Sequence, residues 1–267
     1  MNLQLEDHVV VVTGASKGIG LAITRTLLDE GARVVAASRA RTPELDGLDG
    51  ELVHVPVDLM DPDGPAHVIA TAAEAFGGID VLVNNVGGPP PGISLPRGSF
   101  FDASDDDWRA MFELNLFAAV RASRAAIPLM LERGGGAIVN VSSGNARKPS
   151  PVNVDYGAAK AAMNNLTKAL SEEFGPQGIR VNTVSPGPSL TPWWTDDGGA
   201  ADIFAAQAGT DRESVLTTVA PQAMGLLTGR LADPQEVADV VALLVSPRSA
   251  STTGAEFVVD GGMLKEI

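Results

Sequence analysis

The chain has 267 residues, 45% of them hydrophobic, enough for the core of one α/β domain and too apolar for a disordered polypeptide. Lysine and arginine total 19 against 33 aspartates and glutamates, and the formal charge of −14 repels phosphate backbones and anionic lipid, so neither nucleic acid nor a membrane is an expected partner. With no cysteine, and with His8, His54 and His67 scattered, disulfides, thiol catalysis and a metal centre are not expected. No apolar run reaches the roughly 18 residues of a membrane span, and Met1 to Asp7 lacks the basic and apolar regions of a leader, which makes the cytoplasm the expected compartment.

His8 to Thr13 is a β-branched run of the kind buried on both faces of a parallel sheet. Gly14-Ala15-Ser16-Lys17-Gly18-Ile19-Gly20 follows, and Ile19, Ala22, Ile23, Leu27 and Leu28 then keep a helical period as far as Gly31. Glycines at a strand–helix junction let the backbone approach a pyrophosphate, whose charge meets the free N–H groups of the helix. The alternative is a tight turn that needs glycine only for its dihedrals. Arg33 to Ala37 reads as the next strand. An acid about 20 residues past the glycines would accept from an adenosine ribose hydroxyl, whereas an arginine suits a 2′-phosphate. Here the strand ends Ala37-Ser38-Arg39 with no acid before Glu44, and Lys17 adds a second cation. This favours a dinucleotide carrying the 2′-phosphate, against the alternative of a solvated loop arginine.

Glu51 to Val57 predicts a third strand ending at Asp58, Pro62 to Phe76 a helix, and Val81 to Val83 a fourth strand ending in Asn84-Asn85-Val86-Gly87. Strands alternating with helices, without hairpin signals, predict a doubly wound parallel sheet whose ligand lies at the carboxyl ends of the strands, where Asp58, Asn84 and Gly87 fall. Ser104 caps a helix that runs past Asn115 to about Leu131, and Asp105 to Asp107 suit its positive end. Asn115, set among Phe112, Leu114, Leu116 and Phe117, needs hydrogen-bond partners if buried, whether as a functional group or as an ordinary structural amide.

The strand Ala137 to Val141 leads to Ser143, and a helix from about Tyr156 runs to Phe174. Tyr156 is the only tyrosine, and Lys160 lies one turn beyond it on the same helix face. An ammonium beside a phenol favours the phenolate and is expected to lower a pKa that starts near ~10. A bare Tyr-x-x-x-Lys is a weak signal, and Ser143, able to reach the same reacting oxygen, strengthens it. Ile179 to Ser185 is a sixth strand leading to Pro186-Gly187. The segment from about 188 to 225, with Trp193-Trp194, reads as a long irregular lid. Asp233-Pro234-Gln235-Glu236 opens a helix to Leu244, and Glu256 to Val259 is the last strand. No linker or repeat divides 1–267, so a single domain is expected.

These motifs together resemble the short-chain dehydrogenase/reductase family over nearly the whole chain. They are Thr13-Gly14-x-x-x-Gly18-x-Gly20, Asn84-Asn85-Val86-Gly87, Asn115, Ser143 with Tyr156-x-x-x-Lys160, Pro186-Gly187 with Thr191, and Asp260-Gly261-Gly262, in family order. Val86 stands where alanine is usual, and Ser189 where an apolar residue is usual. The resemblance implies a single-domain Rossmann fold with a parallel sheet of about seven strands flanked by helices. It implies that Tyr156 exchanges a proton with the substrate oxygen, that Ser143 hydrogen-bonds that oxygen, that Lys160 holds the nicotinamide ribose and that Asn115 anchors a water relay. It places Gly14, Ser16, Lys17, Gly18, Ile19, Gly20, Ser38, Arg39, Asp58, Leu59, Asn84, Pro186, Gly187 and Thr191 along the cofactor, with Tyr156 and Lys160 also touching it. It further implies a homotetramer.

The expected activity is an NADP(H)-dependent interconversion of a small, largely hydrophobic ketone and its secondary alcohol. Ile93, Leu95, Phe100, Phe101, Trp193, Trp194, Ile203 and Phe204 are the expected pocket side chains, unless they only pack the lid onto the domain. The alternative is reduction of a 3-oxoacyl thioester on an acyl carrier protein, for which Arg97 and Arg133 are the nearby cations. A non-catalytic dinucleotide sensor is the outside alternative; it predicts loss of proton-transfer groups, and all four positions are filled.

Overall fold

The valine run near the N-terminus forms β1 (Val9–Thr13), and each of its residues is buried. Val10 and Val12 pack into one core layer with Ile23 and Leu27, whereas Val9 and Val11 pack into the other with Val68 and Ile69. A period of two puts alternate residues on opposite faces, so both faces of this strand are covered. The computed structural model describes residues Asn2 to Glu266. After β1 come α1 (Gly18–Asp29), β2 (Arg33–Ser38), α2 (Pro43–Asp46), β3 (Leu52–Pro56), α3 (Gly64–Phe76) and β4 (Val81–Asn84). They are followed by α4 (Asp105–Phe112), α5 (Ala118–Glu132), β5 (Gly136–Val141), α6 (Val154–Phe174) and β6 (Ile179–Pro186). The short helices α7 (Pro192–Thr195), α8 (Ala200–Ala208), α9 (Arg212–Ser214) and α10 (Ala220–Met224) precede α11 (Pro234–Val245) and β7 (Glu256–Val259).

The strands form one sheet in the order β3-β2-β1-β4-β5-β6-β7, and every pairing is parallel. The chain starts at β1, winds outward to β3, then crosses to β4 and winds the other way. The order therefore reverses between β1 and β4, where the carboxyl ends of the strands leave a crevice. α1 and α11 cover one face, while α3 and α5 cover the other.

Two segments differ from expectation. The helix begun by the Ser104–Asp107 capping box does not run uniformly: a π-helical stretch, Glu113–Phe117, separates α4 from α5. By length and apolarity, Asp105–Glu132 passes for a membrane span, but Ala118, Ala122, Ala126 and Met130 face the core beside the sheet. The segment expected as an irregular lid is instead largely helical and has a core of its own, in which Trp194, Ala200, Ala201, Ala205 and Val215 are buried with Phe204 packed on them, and Leu231 joins it from just beyond the segment. Its alanines favour helix, and a single large aromatic gives these short helices something to pack around.

Candidate active site

β5 and α6 carry the proton-transfer groups. Ser143 stands two residues beyond β5 and caps a short turn, its Oγ accepting from Asn145 N at 3.2 Å. That turn packs on α6 at Gly157, where a methyl group would meet Asn145 O at 3.1 Å. The missing side chain lets the Ser143 turn settle beside Tyr156. Lys160 Nζ donates to Val141 O at 2.9 Å, and Ser142 Oγ donates to Lys160 O at 3.2 Å, so the strand end and the helix are stitched together. Lys160 is only 2% exposed, whereas Tyr156 is half-buried; the amine lies 5.8 Å from the centre of the phenol ring. A methyl group on Gly87 would fall 2.8 Å from Lys160 Nζ and 2.9 Å from Asn115 Oδ1, which shows how closely these three residues meet.

Asn115 sits in the π-helical stretch and is fully buried. Its Nδ2 donates to Gly88 O at 2.9 Å and to Met111 O at 3.0 Å, and its Oδ1 accepts from Gly88 N at 2.9 Å. The widened turn aims this side chain at Gly88, in keeping with the frequent placement of such turns at functional sites. Both amide hydrogens are thus engaged within the protein. Asn115 is a clamp on the segment that follows β4.

The charges correct another expectation. Burial pushes the Tyr156 pKa up from 10.0, not down, and the nearby Ser143 hydroxyl pulls it only part of the way back. Lys160 does not supply the expected depression because burial lowers its own pKa to about 7, leaving the amine only partly protonated at neutral pH. The phenol therefore keeps its proton at neutral pH, as a proton donor must.

At the other end of the crevice, Gly14 has φ +67°, and a methyl group on Gly20 would stand 2.1 Å from Gly14 O. No ordinary side chain fits either place. α1 starts with no side-chain cap on Lys17 and no acid in its first turn, so its leading N–H groups are open to an anion. Lys17 and Arg39 are exposed, and Ser16 O accepts from Thr42 Oγ1 at 2.9 Å. Asp58 is exposed after β3, with Leu59 buried beside it. The Thr191 methyl lies 3.2 Å from the point where Gly18 would carry a Cβ, so the turn after β6 reaches over to the glycine turn next to Ile19. Pro186 is buried, and Gly187 lies so close to Asp260 that a methyl group would meet its Cα at 2.7 Å. Ser189, the departure from the family pattern, is buried and donates to Gly187 O at 3.1 Å.

Two residues expected along the cofactor have their side chains engaged in the interior. The Ser38 hydroxyl is buried, donating to Ala40 O at 2.9 Å and meeting His54 Nε2 at 2.9 Å. Asn84 Nδ2 donates to Asn140 Oδ1 at 2.8 Å and to Ser123 Oγ at 3.2 Å, inside the core. Both residues end interior strands, and the strand alternation turns them inward. Sequence reasoning assigns Asn85 no role, yet its Nδ2 donates to Thr13 O and Gly14 O at 2.9 and 3.2 Å, fastening the glycine turn to β4. The doubled asparagine was the signal.

The open α1 terminus, the glycine turn and two exposed cations, Lys17 and Arg39, fit a nicotinamide dinucleotide. A family model described as enoyl-(acyl carrier protein) reductase matches residues 14–264. The chain belongs to the short-chain dehydrogenase/reductase family. Among such oxidoreductases, UcpA of Escherichia coli (strain K12) is 36% identical, with 97% of this chain and 95% of that protein covered. The 3-oxoacyl-[acyl-carrier-protein] reductase FabG of Vibrio cholerae is 31% identical, with 98% and 99% covered. L-Sorbose reductase from Gluconobacter frateurii, solved with NADPH and L-sorbose, has a TM-score of 0.90 at 34% identity, with 100% of both chains covered. The protein is accordingly an oxidoreductase of this family with a nicotinamide dinucleotide cofactor.

Proposed function

We propose that the protein interconverts a free, small, largely hydrophobic ketone and its secondary alcohol with NADP(H), using Tyr156 as general acid and base. The observation that carries this reading is the meeting of Ser143, Tyr156 and Lys160 where β5 joins α6, next to Gly87. A bound nicotinamide supplies the hydride in reduction. Tyr156 Oη gives its proton to the carbonyl oxygen, and the Ser143 hydroxyl donates a hydrogen bond to that oxygen. Lys160 would hold the ribose of the bound dinucleotide, and Asn115 fixes Gly88.

Exposed Lys17 and Arg39, with no acid between the end of β2 and Glu44, support NADP(H), as does the NADPH in the sorbose reductase structure. Exposed Phe100, Phe101 and Trp193 support an apolar pocket; Trp194 and Phe204 do not, being packed within the lid. A free substrate is supported by Arg97 and Arg133, the cations a carrier protein would need, because they are ion-paired at 2.6 Å with Asp155 and 2.7 Å with Asp80. A homotetramer in the cytoplasm is the proposed state. Exposed Phe117, Leu243 and Val258 offer apolar contact surface, and light scattering measures the assembly.

The test is kcat/KM with NADPH and with NADH for cyclic and aliphatic ketones, a ketohexose, a 3-oxoacyl short thioester and the same acyl group on the carrier protein. A large advantage for the carrier-bound acyl group, lost at high salt, would overturn the substrate reading. Equal or better kcat/KM with NADH would overturn the cofactor reading. No turnover with any of them would favour the non-catalytic sensor.

A further inference from the structure

A buried ion pair reaches the catalytic helix from the segment between β4 and α4. The Arg97 side chain is 7% exposed and that of Asp155 0%, with Nη2 2.6 Å from Oδ2. Arg97 Nη1 also lies 3.6 Å from Asp107 Oδ2 and donates to Asp102 O at 3.3 Å, and Arg97 N donates to Val152 O at 2.7 Å. Asp155 Oδ1 in turn accepts from Tyr156 N at 3.0 Å. One guanidinium thus joins segment 87–103, the start of α4 and the start of α6, one residue before Tyr156. The same segment is held at its other end, where Asn115 grips Gly88. Apolar side chains of equal volume would attach a loop to a helix at least as firmly, but a charge-assisted hydrogen bond also fixes direction.

We propose that Arg97 and Asp155 are positioning residues: their ion pair holds segment 87–103, a wall of the crevice, on the first turn of α6 and so sets where Tyr156 stands relative to the substrate. This rests on Tyr156 being the proton donor. Because Tyr156 is the only tyrosine, protein labelled with carbon-13 at tyrosine Cζ gives one phenol resonance, readable with or without turnover. Arg97→Gln and Asp155→Asn should each move that resonance at neutral pH while leaving the NADPH Kd within about twofold. On the best ketone, kcat/KM per NADPH-binding site should fall at least about tenfold, and Arg97→Lys, which keeps the charge, should recover part of the loss. A resonance coincident with that of the unmodified protein, in variants that still bind NADPH, overturns the proposal, as does an unchanged kcat/KM per site. If Arg97→Gln fails to fold, Arg97→Lys carries the same resonance test. If the unmodified protein turns over no ketone, the proposed function fails, and the resonance still decides whether the pair positions Tyr156.

Discussion

Replacing Lys160 with methionine should stabilise the cofactor-free protein while destroying its activity. Burial takes the Lys160 pKa from 10.5 to about 7, and at about 1.4 kcal/mol per pH unit the 3.5-unit difference is on the order of 5 kcal/mol of folding stability lost at acidic to neutral pH. Methionine keeps the length and apolar stem of the side chain and removes the ammonium. It also strips Val141 O of its donor, which costs roughly 1–3 kcal/mol for a buried carbonyl. The net gain is ~2–4 kcal/mol, or about 4 °C or more in Tm for a domain of this size. Since the folded-state pKa lies below the unfolded one, the unfolded chain holds the proton more tightly between the two values, and stability rises with pH across that window. The burden of Lys160 is complete below about pH 7 and vanishes as pH nears 10.5, so the advantage of Lys160→Met must shrink in the same direction. Thermal unfolding of both proteins from acidic to alkaline pH measures it. A variant no more stable than its parent at acidic pH, or a gap that does not close at alkaline pH, would refute the reasoning.

Tyr156→Phe keeps the packing of the ring and removes its proton, so kcat should fall by on the order of a hundredfold or more with NADPH binding intact; near-normal turnover would remove Tyr156 from the mechanism. Arg39→Ala removes a charge-assisted contact worth ~1.5–3 kcal/mol and should cost roughly tenfold to a hundredfold in the NADPH-over-NADH ratio of kcat/KM, with NADH rates unchanged. Gly20→Ala places a methyl group 2.1 Å from Gly14 O and should abolish dinucleotide binding in a titration, so a Kd near that of the parent would mean that the turn relaxes without loss.

The parts legible in the sequence are those that a local pattern determines. A buried parallel strand needs a β-branched run, and Val9 to Val12 supply one; a capped helix start needs Ser104 with Asp107, or Asp233 with Glu236, and both boxes form. The arrangement of Tyr156, Lys160 and Ser143 follows from helix spacing and from the strand that ends before Ser143. What the sequence hid depends on pairings across the fold. Nothing near Asn115 announces that Gly88, 27 residues earlier, will take its amide, or that the helix will widen to let it. Nothing near Ser38 announces His54, which becomes a neighbour only through the pairing of β2 with β3. The Tyr156 pKa departs from the expected direction for a related reason. Spacing along a helix places the ammonium, but burial, a property of the whole fold, decides how much charge it carries.

Two cations, one buried and one half-buried, show how the same kind of group serves opposite ends. Arg180 Nη1 and Nη2 donate to the carbonyls of Leu244, Val245, Ser246 and Thr252 and to Ser249 Oγ, closing the carboxyl end of α11. Both terminal nitrogens of its guanidinium thus find acceptors at the helix end where a cation is favoured, although partial burial still lowers its pKa. Lys160 Nζ carries three hydrogens when protonated, and only Val141 O receives one among its hydrogen bonds to the described residues. Nearly complete burial lowers its pKa to about 7. The single bond also leaves two donors unassigned in a crevice already built around Gly87 and the phenol. Paired ribose hydroxyls would accept from both, and by answering the charge they would raise the pKa of Lys160 again. The destabilising lysine and the competent site are thus one feature, held in place by the β5 and α6 stitching around it.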